Sequence, residues 1–235
     1  MATSFIGPIY CDTFVAGSHD FNLWLGMHEP VNTLTNAAIL IAAWFALRHV
    51  RRSGVGFSSG LILLLVLLVG VGVGSALWHG LRTRWALQLD WIPGVLYLLV
   101  LTFLWIRQLY GAAAGIGGMA AMLLISVAGV GYFGRTLAAI TPNFFALPMF
   151  ATVTVAGAIM VAGSWIKYGR DTGLVGLSIL AAGLVAAFAR SIDLLVCPIV
   201  PFGTHFLWHL GLSTAAFLGI VLMVKMKRAA PARQM

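Results

Sequence analysis

Seven apolar runs, each about 20 residues long, leave this chain one kind of structure to form. They lie near residues 32–50, 59–80, 86–108, 113–133, 144–166, 173–196 and 204–226. In hydrocarbon every backbone N–H and C=O must find a partner within the protein, and a helix satisfies them inside one segment. Strands of a membrane barrel would run only about 9–11 residues, with alternating polarity, and these runs show neither property. Of 235 residues 61% are hydrophobic and 9% charged, whereas a soluble domain carries about 25% charged residues. The expected fold is all-α: a polytopic seven-transmembrane-helix bundle, forming a single membrane domain over residues 1–235. Met1 to Tyr10 has neither the basic start nor the long apolar core of a signal peptide.

The net charge of +8 does not point to nucleic acid, because the basic residues sit at the ends of the apolar runs. There they predict topology, since Lys and Arg accumulate in cytoplasmic connections. With the N-terminus outside, the cytoplasmic ends hold Arg48, Arg51, Arg52, Arg107, Lys167, Arg170, Lys225, Lys227, Arg228 and Arg233. The outer ends hold only Arg82, Arg84 and Arg135. The expected orientation is N-terminus outside, C-terminus cytoplasmic. Short loops suggest a bacterial inner membrane, with the site toward the periplasmic half.

Five polar residues are out of place in or beside these runs: Ser75, His79, Asp90, His205 and His209. An ionisable side chain at the centre of a spanning helix costs roughly 2.5–3.5 kcal/mol on insertion scales. Ser75 and His79 are four apart, as are His205 and His209, so each pair shares one helix face. In the expected topology all five fall in the outer half of the membrane, although the topology came from Lys and Arg alone. Three neutral imidazoles from two helices can hold zinc and leave a fourth position open. Bound zinc lowers the pKa of water to about 7. Asp90 could then carry a proton to a leaving amine, and Ser75 could donate to a developing oxyanion. Together these are the parts of a lipid amide or ester hydrolase.

Plainer roles compete. A membrane histidine often bonds a neighbouring helix, and serine often bonds its own backbone. Trp78, Trp85, Trp91 and Trp208 suit an interfacial aromatic belt. Gly70, Gly72 and Gly74 suit close helix packing. Arg190 and Asp193, three apart, read as an intramembrane ion pair. Asn32 or Thr33 can cap the first helix. His19, His28 and His49 look peripheral.

The segment S-A-L-W-H (75–79), followed by Asp90 and then H-F-L-W-H (205–209), resembles the alkaline ceramidase family. So do E-P-V-N-T-L-T-N (29–36) and R-S-I-D-L-L-V-C-P (190–198), and the likeness runs from residue 11 to about 212. The family belongs to a superfamily of seven-helix membrane hydrolases that includes the adiponectin-receptor-like proteins. The resemblance implies hydrolysis of ceramide to a sphingoid base and a fatty acid. It implies His79, His205 and His209 as zinc ligands, with Asp90 and Ser75 around the reacting water. Animal members also bind calcium through an N-terminal acidic cluster. Asp12 and Glu29 match that cluster, but Ile9 and Phe14 depart from it, so the calcium pattern is incomplete. The resemblance also suggests that Cys11 and Cys197 pair, which an oxidising outer compartment permits.

Three alternatives remain at this stage. A hydrolase of the same superfamily could take another N-acyl or ester lipid. The histidines could serve a cytochrome or a transporter. A receptor could bind the lipid without cleaving it. The ceramide substrate would reach the site from the bilayer, and nothing in the chain suggests a nucleic-acid partner.

Overall fold

The computed structural model describes residues 7–15, 18 and 20–229; His19 lies outside them. Seven helices are long and apolar enough to cross a membrane: Pro30–Ser53, Ser59–Leu81, Arg84–Tyr110, Ala112–Ala138, Pro142–Tyr168, Arg170–Val196 and His205–Ala229. We refer to them as spans one to seven. Most begin or end a few residues beyond the apolar runs. Span four, for instance, continues past residue 133 to Ala138 through Gly134 and Arg135. A helix end carries orphan carbonyls wherever the apolar run stops, so helical pairing continues until a turn or another donor takes over.

One residue each, Gly111 and Gly169, joins span three to four and span five to six. Such short connections force antiparallel neighbours. Consecutive spans pack against one another, and span seven closes the ring against span one while also touching spans two and three. Span seven is therefore the central strut of the bundle.

The two halves of the bundle differ in chemistry. Toward one end the interior is dry, built on Leu61, Leu64, Leu101, Trp105, Ile220 and Met226. The basic residues at this end cap helices. The Lys167 ammonium donates to the Gln108 and Leu109 carbonyls at 2.9 and 2.7 Å, and Arg228 donates to the Ser53 carbonyl at 3.1 Å. Cations there also oppose the negative end of the helix dipole. Toward the other end the interior is polar, with Ser75, His79, His205 and His209 all buried.

Spans two and three are in backbone contact at Gly74. A Cβ built there would lie 1.8 Å from the Leu89 carbonyl oxygen. No side chain fits, so Gly74→Ala must push the two helices apart. Overpacking of this kind costs about 1–3 kcal/mol. We expect the variant to melt at a clearly lower temperature than the parent protein in the same detergent, and equal melting temperatures would show that the contact relaxes freely.

The N-terminal segment folds over the polar end. Its described residues include a 3-10 turn, Cys11–Thr13, and a two-stranded hairpin of Leu23–Trp24 with Met27–His28. Cys11 is bonded to Cys197, with Cα atoms 5.3 Å apart, the pairing that the resemblance implied.

Two expectations need correction here. Span one starts at Pro30, and neither Asn32 nor Thr33 caps it; both lie inside the first turns, behind Glu29. Proline at the first helical position needs no N–H partner, so the helix can start before either asparagine or threonine. Trp78 is fully buried rather than part of an interfacial belt. It lies beneath Gly7, and the Arg82 guanidinium sits 3.9 Å from its ring centroid. Trp85 and Trp91 do face outward, each about half exposed.

Candidate functional site

Span two ends where span seven begins, so their polar turns meet. His79, His205 and His209 are each 1% exposed. Their ring centroids are 4.9–5.2 Å apart. One ligand atom from each ring can be chosen so that all three lie within 4.8 Å of one another. The three imidazoles that the sequence singled out therefore converge on a single point.

In His79 and His209 the other ring nitrogen is already engaged, which decides which of their atoms face that point. His79 Nδ1 lies 2.5 Å from Glu29 Oε2, so Nδ1–H donates to the carboxylate and Nε2 is left. Thr35 Oγ1 lies 2.9 Å from His209 Nδ1. Its hydroxyl hydrogen is directed to the carbonyls of Val31 and Asn32, at 2.8 and 3.1 Å. The Thr35 oxygen therefore accepts from His209 Nδ1–H, and Nε2 is again left. His209 Nε2 and His205 Nδ1 are buried with no hydrogen-bond partner. Leaving such a nitrogen unpaired costs about 1–3 kcal/mol, and a bound cation would remove that cost. These residues fit a metal ion held by three imidazoles. A partner on the second ring nitrogen is also the usual way a protein fixes a ligating histidine.

Glu29 organises this side of the site. It is fully buried, yet Thr13 Oγ1 donates to Oε1 at 2.6 Å and Arg82 stands 3.1 Å from the same oxygen. Burial pushes its carboxyl up. The His79 hydrogen bond, the Arg82 charge and the Thr13 hydrogen bond more than offset this and hold it below the ordinary value. Its backbone is left-handed, with φ 45°, which non-glycine residues adopt mainly where surroundings impose it.

Tyr10 covers the cluster from the N-terminal segment. Its ring stacks on His205 with centroids 3.7 Å apart and lies 5.4 Å from His79. Burial raises its phenol to about 12; Arg190 opposes that rise, while Asp90 and Glu29 add to it. The phenol therefore stays protonated at neutral pH.

Asp193 corrects the expected ion pair with Arg190. No ion pair joins the two among the described residues. Asp193 instead accepts the backbone N–H groups of Cys11 at 2.9 Å, Thr204 at 2.6 Å and His205 at 2.8 Å. It caps span seven from outside that helix and binds the N-terminal segment with the same carboxylate. The unsatisfied donors of a helix start demand an acceptor, and Asp193 is the one in reach. Gly203 makes room for it, since a Cβ there would lie 2.0 Å from Asp193 Oδ1.

Ser75 is buried one turn before His79. Asp90, on span three, is half-buried, and its backbone N lies beside Gly74, the neighbour of Ser75. Its charge reaches Tyr10 and Arg82. Asp12 and Glu29, which match the calcium cluster, have their carboxylates engaged by donors. Asp12 accepts from Asn22 Nδ2 and from the Asn32 N–H, both at 2.9 Å, and burial raises its carboxyl to about 6. His28 and His49 stand apart from the triad.

A ceramidase family model matches residues 19–234. The chain belongs to the ceramidase family. Comparison with curated proteins returns no match. The match covers all seven spans and all three histidines, and it makes this chain a membrane-embedded ceramidase-type hydrolase that acts on lipid. Within this ceramidase fold, sequence reasoning missed Tyr10, Thr13, Thr35 and Arg82, and it misread Asp193. For Thr35 a signal existed, because it shares the conspicuous E-P-V-N-T-L-T-N segment with Glu29.

Proposed function

We propose that this ceramidase-family protein is a zinc-dependent amidase that cleaves ceramide into a sphingoid base and a free fatty acid. The observation that carries the reading is the convergence of three buried imidazoles, two of them with unpartnered nitrogens, at the polar end of the bundle. His79, His205 and His209 would hold the zinc; neutral imidazole suits it. When bound, it polarises the carbonyl and makes hydroxide available near neutral pH.

The remaining roles fall to the chain itself. Ser75, buried beside His79, would donate a hydrogen bond to the carbonyl oxygen as charge develops there. Asp90 would take a proton from the attacking water and return it to the nitrogen as the C–N bond breaks. Tyr10 and the N-terminal segment cover the site and keep bulk water out. The ceramide would come from the surrounding bilayer, and the basic end of the bundle would face the cytoplasm, which sets the site in the outer, periplasmic half.

The test is elemental analysis of the purified protein paired with hydrolysis assays on ceramide and on a panel of other N-acyl and ester lipids. Chelation is expected to abolish ceramide cleavage, and zinc is expected to restore it. Preferential cleavage of another lipid would reassign the substrate. Undiminished turnover after complete metal removal would overturn the mechanism.

A further inference from the structure

Span six carries a charge that the mechanism above leaves unused. Arg190 has no ion pair and donates no hydrogen bond among the described residues. Its guanidinium carbon lies 5.4 Å from the centroid of Trp208 and 5.8 Å from that of Phe150. Aromatic faces at this range attract a guanidinium. They hold the side chain in place, and they leave its N–H edge, the part that binds anions in a two-pronged fashion, without a partner.

The placement is at the same end of the bundle as the histidines, against the Trp208 ring. Trp208 immediately precedes His209. Asp193, three residues after Arg190, caps the turn that carries His205. An unpaired cation within a membrane-spanning helix is costly and marks a functional position.

We propose that Arg190 is the carboxylate-binding residue of this site, receiving the head group of a free fatty acid beside the three histidines. The inference rests on the amide-hydrolase reading and adds to it. In that reaction the oxygen of water bonds to the acyl carbon and the C–N bond breaks. One proton of the water goes to the nitrogen, which leaves as an amine, and the acyl group keeps the OH and leaves as a carboxylic acid. Ceramide and water are uncharged, whereas a carboxylic acid is ionised at neutral pH. A guanidinium without a counter-ion therefore distinguishes the acid from the amide that produced it. By reversibility, it also holds the acid for the reverse condensation.

Palmitate and hexadecanol, which share one chain and differ in head group, are the probes. Binding is read by thermal shift on the full-length, metal-loaded protein in micelles, with metal content as the check on folding. The parent protein is expected to bind palmitate. In Arg190→Gln palmitate binding is expected to weaken about tenfold or more, the scale of a lost charge-assisted hydrogen bond, with hexadecanol binding unchanged. Arg190→Lys keeps the charge but not the planar fork, and it is expected to fall in between. Should Arg190→Gln lose its metal, Arg190→Lys decides the matter, with a severalfold weakening supporting the assignment. Equal palmitate binding by parent and variant overturns it. If ceramide is hydrolysed while palmitate ignores Arg190, this inference fails and the proposed function stands. If ceramide is not cleaved while palmitate still depends on Arg190, the substrate assignment fails and this inference stands.

Discussion

His79→Ala and His209→Ala are expected to strip the metal from the protein and end hydrolysis, whereas changes to the groups behind those rings should produce graded losses. Each ring can offer one nitrogen to the shared point, and no other group of three such side chains is found among the described residues. Removing a ligand should therefore exceed the roughly 10–100-fold loss of metal affinity that follows from changing an outer partner. Glu29→Gln belongs in that lower range. The amide oxygen can still accept from His79 Nδ1–H, but the negative charge that strengthens the ring as a ligand is gone, and Arg82 loses its counter-ion. Thr35→Val should be milder, because it deletes a neutral acceptor from His209 Nδ1 and keeps the side-chain shape. The measurement is competitive metal titration with a chelator of known affinity, alongside ceramide turnover. The order expected is ligand, then Glu29, then Thr35. A Glu29→Gln protein with unaltered affinity would mean that the contact with His79 does not govern the metal.

What could be read from the chain follows from physical range. The apolar runs specify helices because hydrocarbon offers no alternative backbone partner, so the seven spans were legible to within a few residues. Ser75 with His79 and His205 with His209 were legible as pairs because helical periodicity is local. That the pairs lie at one depth also followed, since spans of alternating direction put the end of span two and the start of span seven on the same side; that those two ends adjoin did not. The partners of the rings were not legible. Glu29 reaches His79 across 50 positions, and Thr35 reaches His209 across 174. No local pattern encodes such contacts. Trp78 looked interfacial because it sits near a helix end, yet the N-terminal segment folds over it, and nothing in residues 75–85 announces a cover. Asp193 was misread for a related reason. An acid three residues from an arginine invites pairing, but the three N–H groups that actually claim it come from two other segments.

That triple attachment makes Asp193 the position where a single change should cost the most stability. Asp193→Ala deletes the acceptor for the Cys11, Thr204 and His205 N–H groups at once. Each buried donor left without a partner costs about 1–3 kcal/mol, so the sum reaches about 3 kcal/mol or more, a large share of the total for most domains. The damage is also directional. The first turn of span seven carries His205, so a frayed start moves a metal ligand, while the Cys11–Cys197 bond still tethers the covering segment. Asp193→Asn should be less severe, since its oxygen can keep Thr204 and His205 as Oδ1 does now, while its NH2 group would oppose the Cys11 N–H. The expected results are a much lower melting temperature and weaker metal affinity for Asp193→Ala, with Asp193→Asn between it and the parent. If Asp193→Ala melts with the parent and keeps its metal, the cap is supplied by something else, and Asp193 does not position His205.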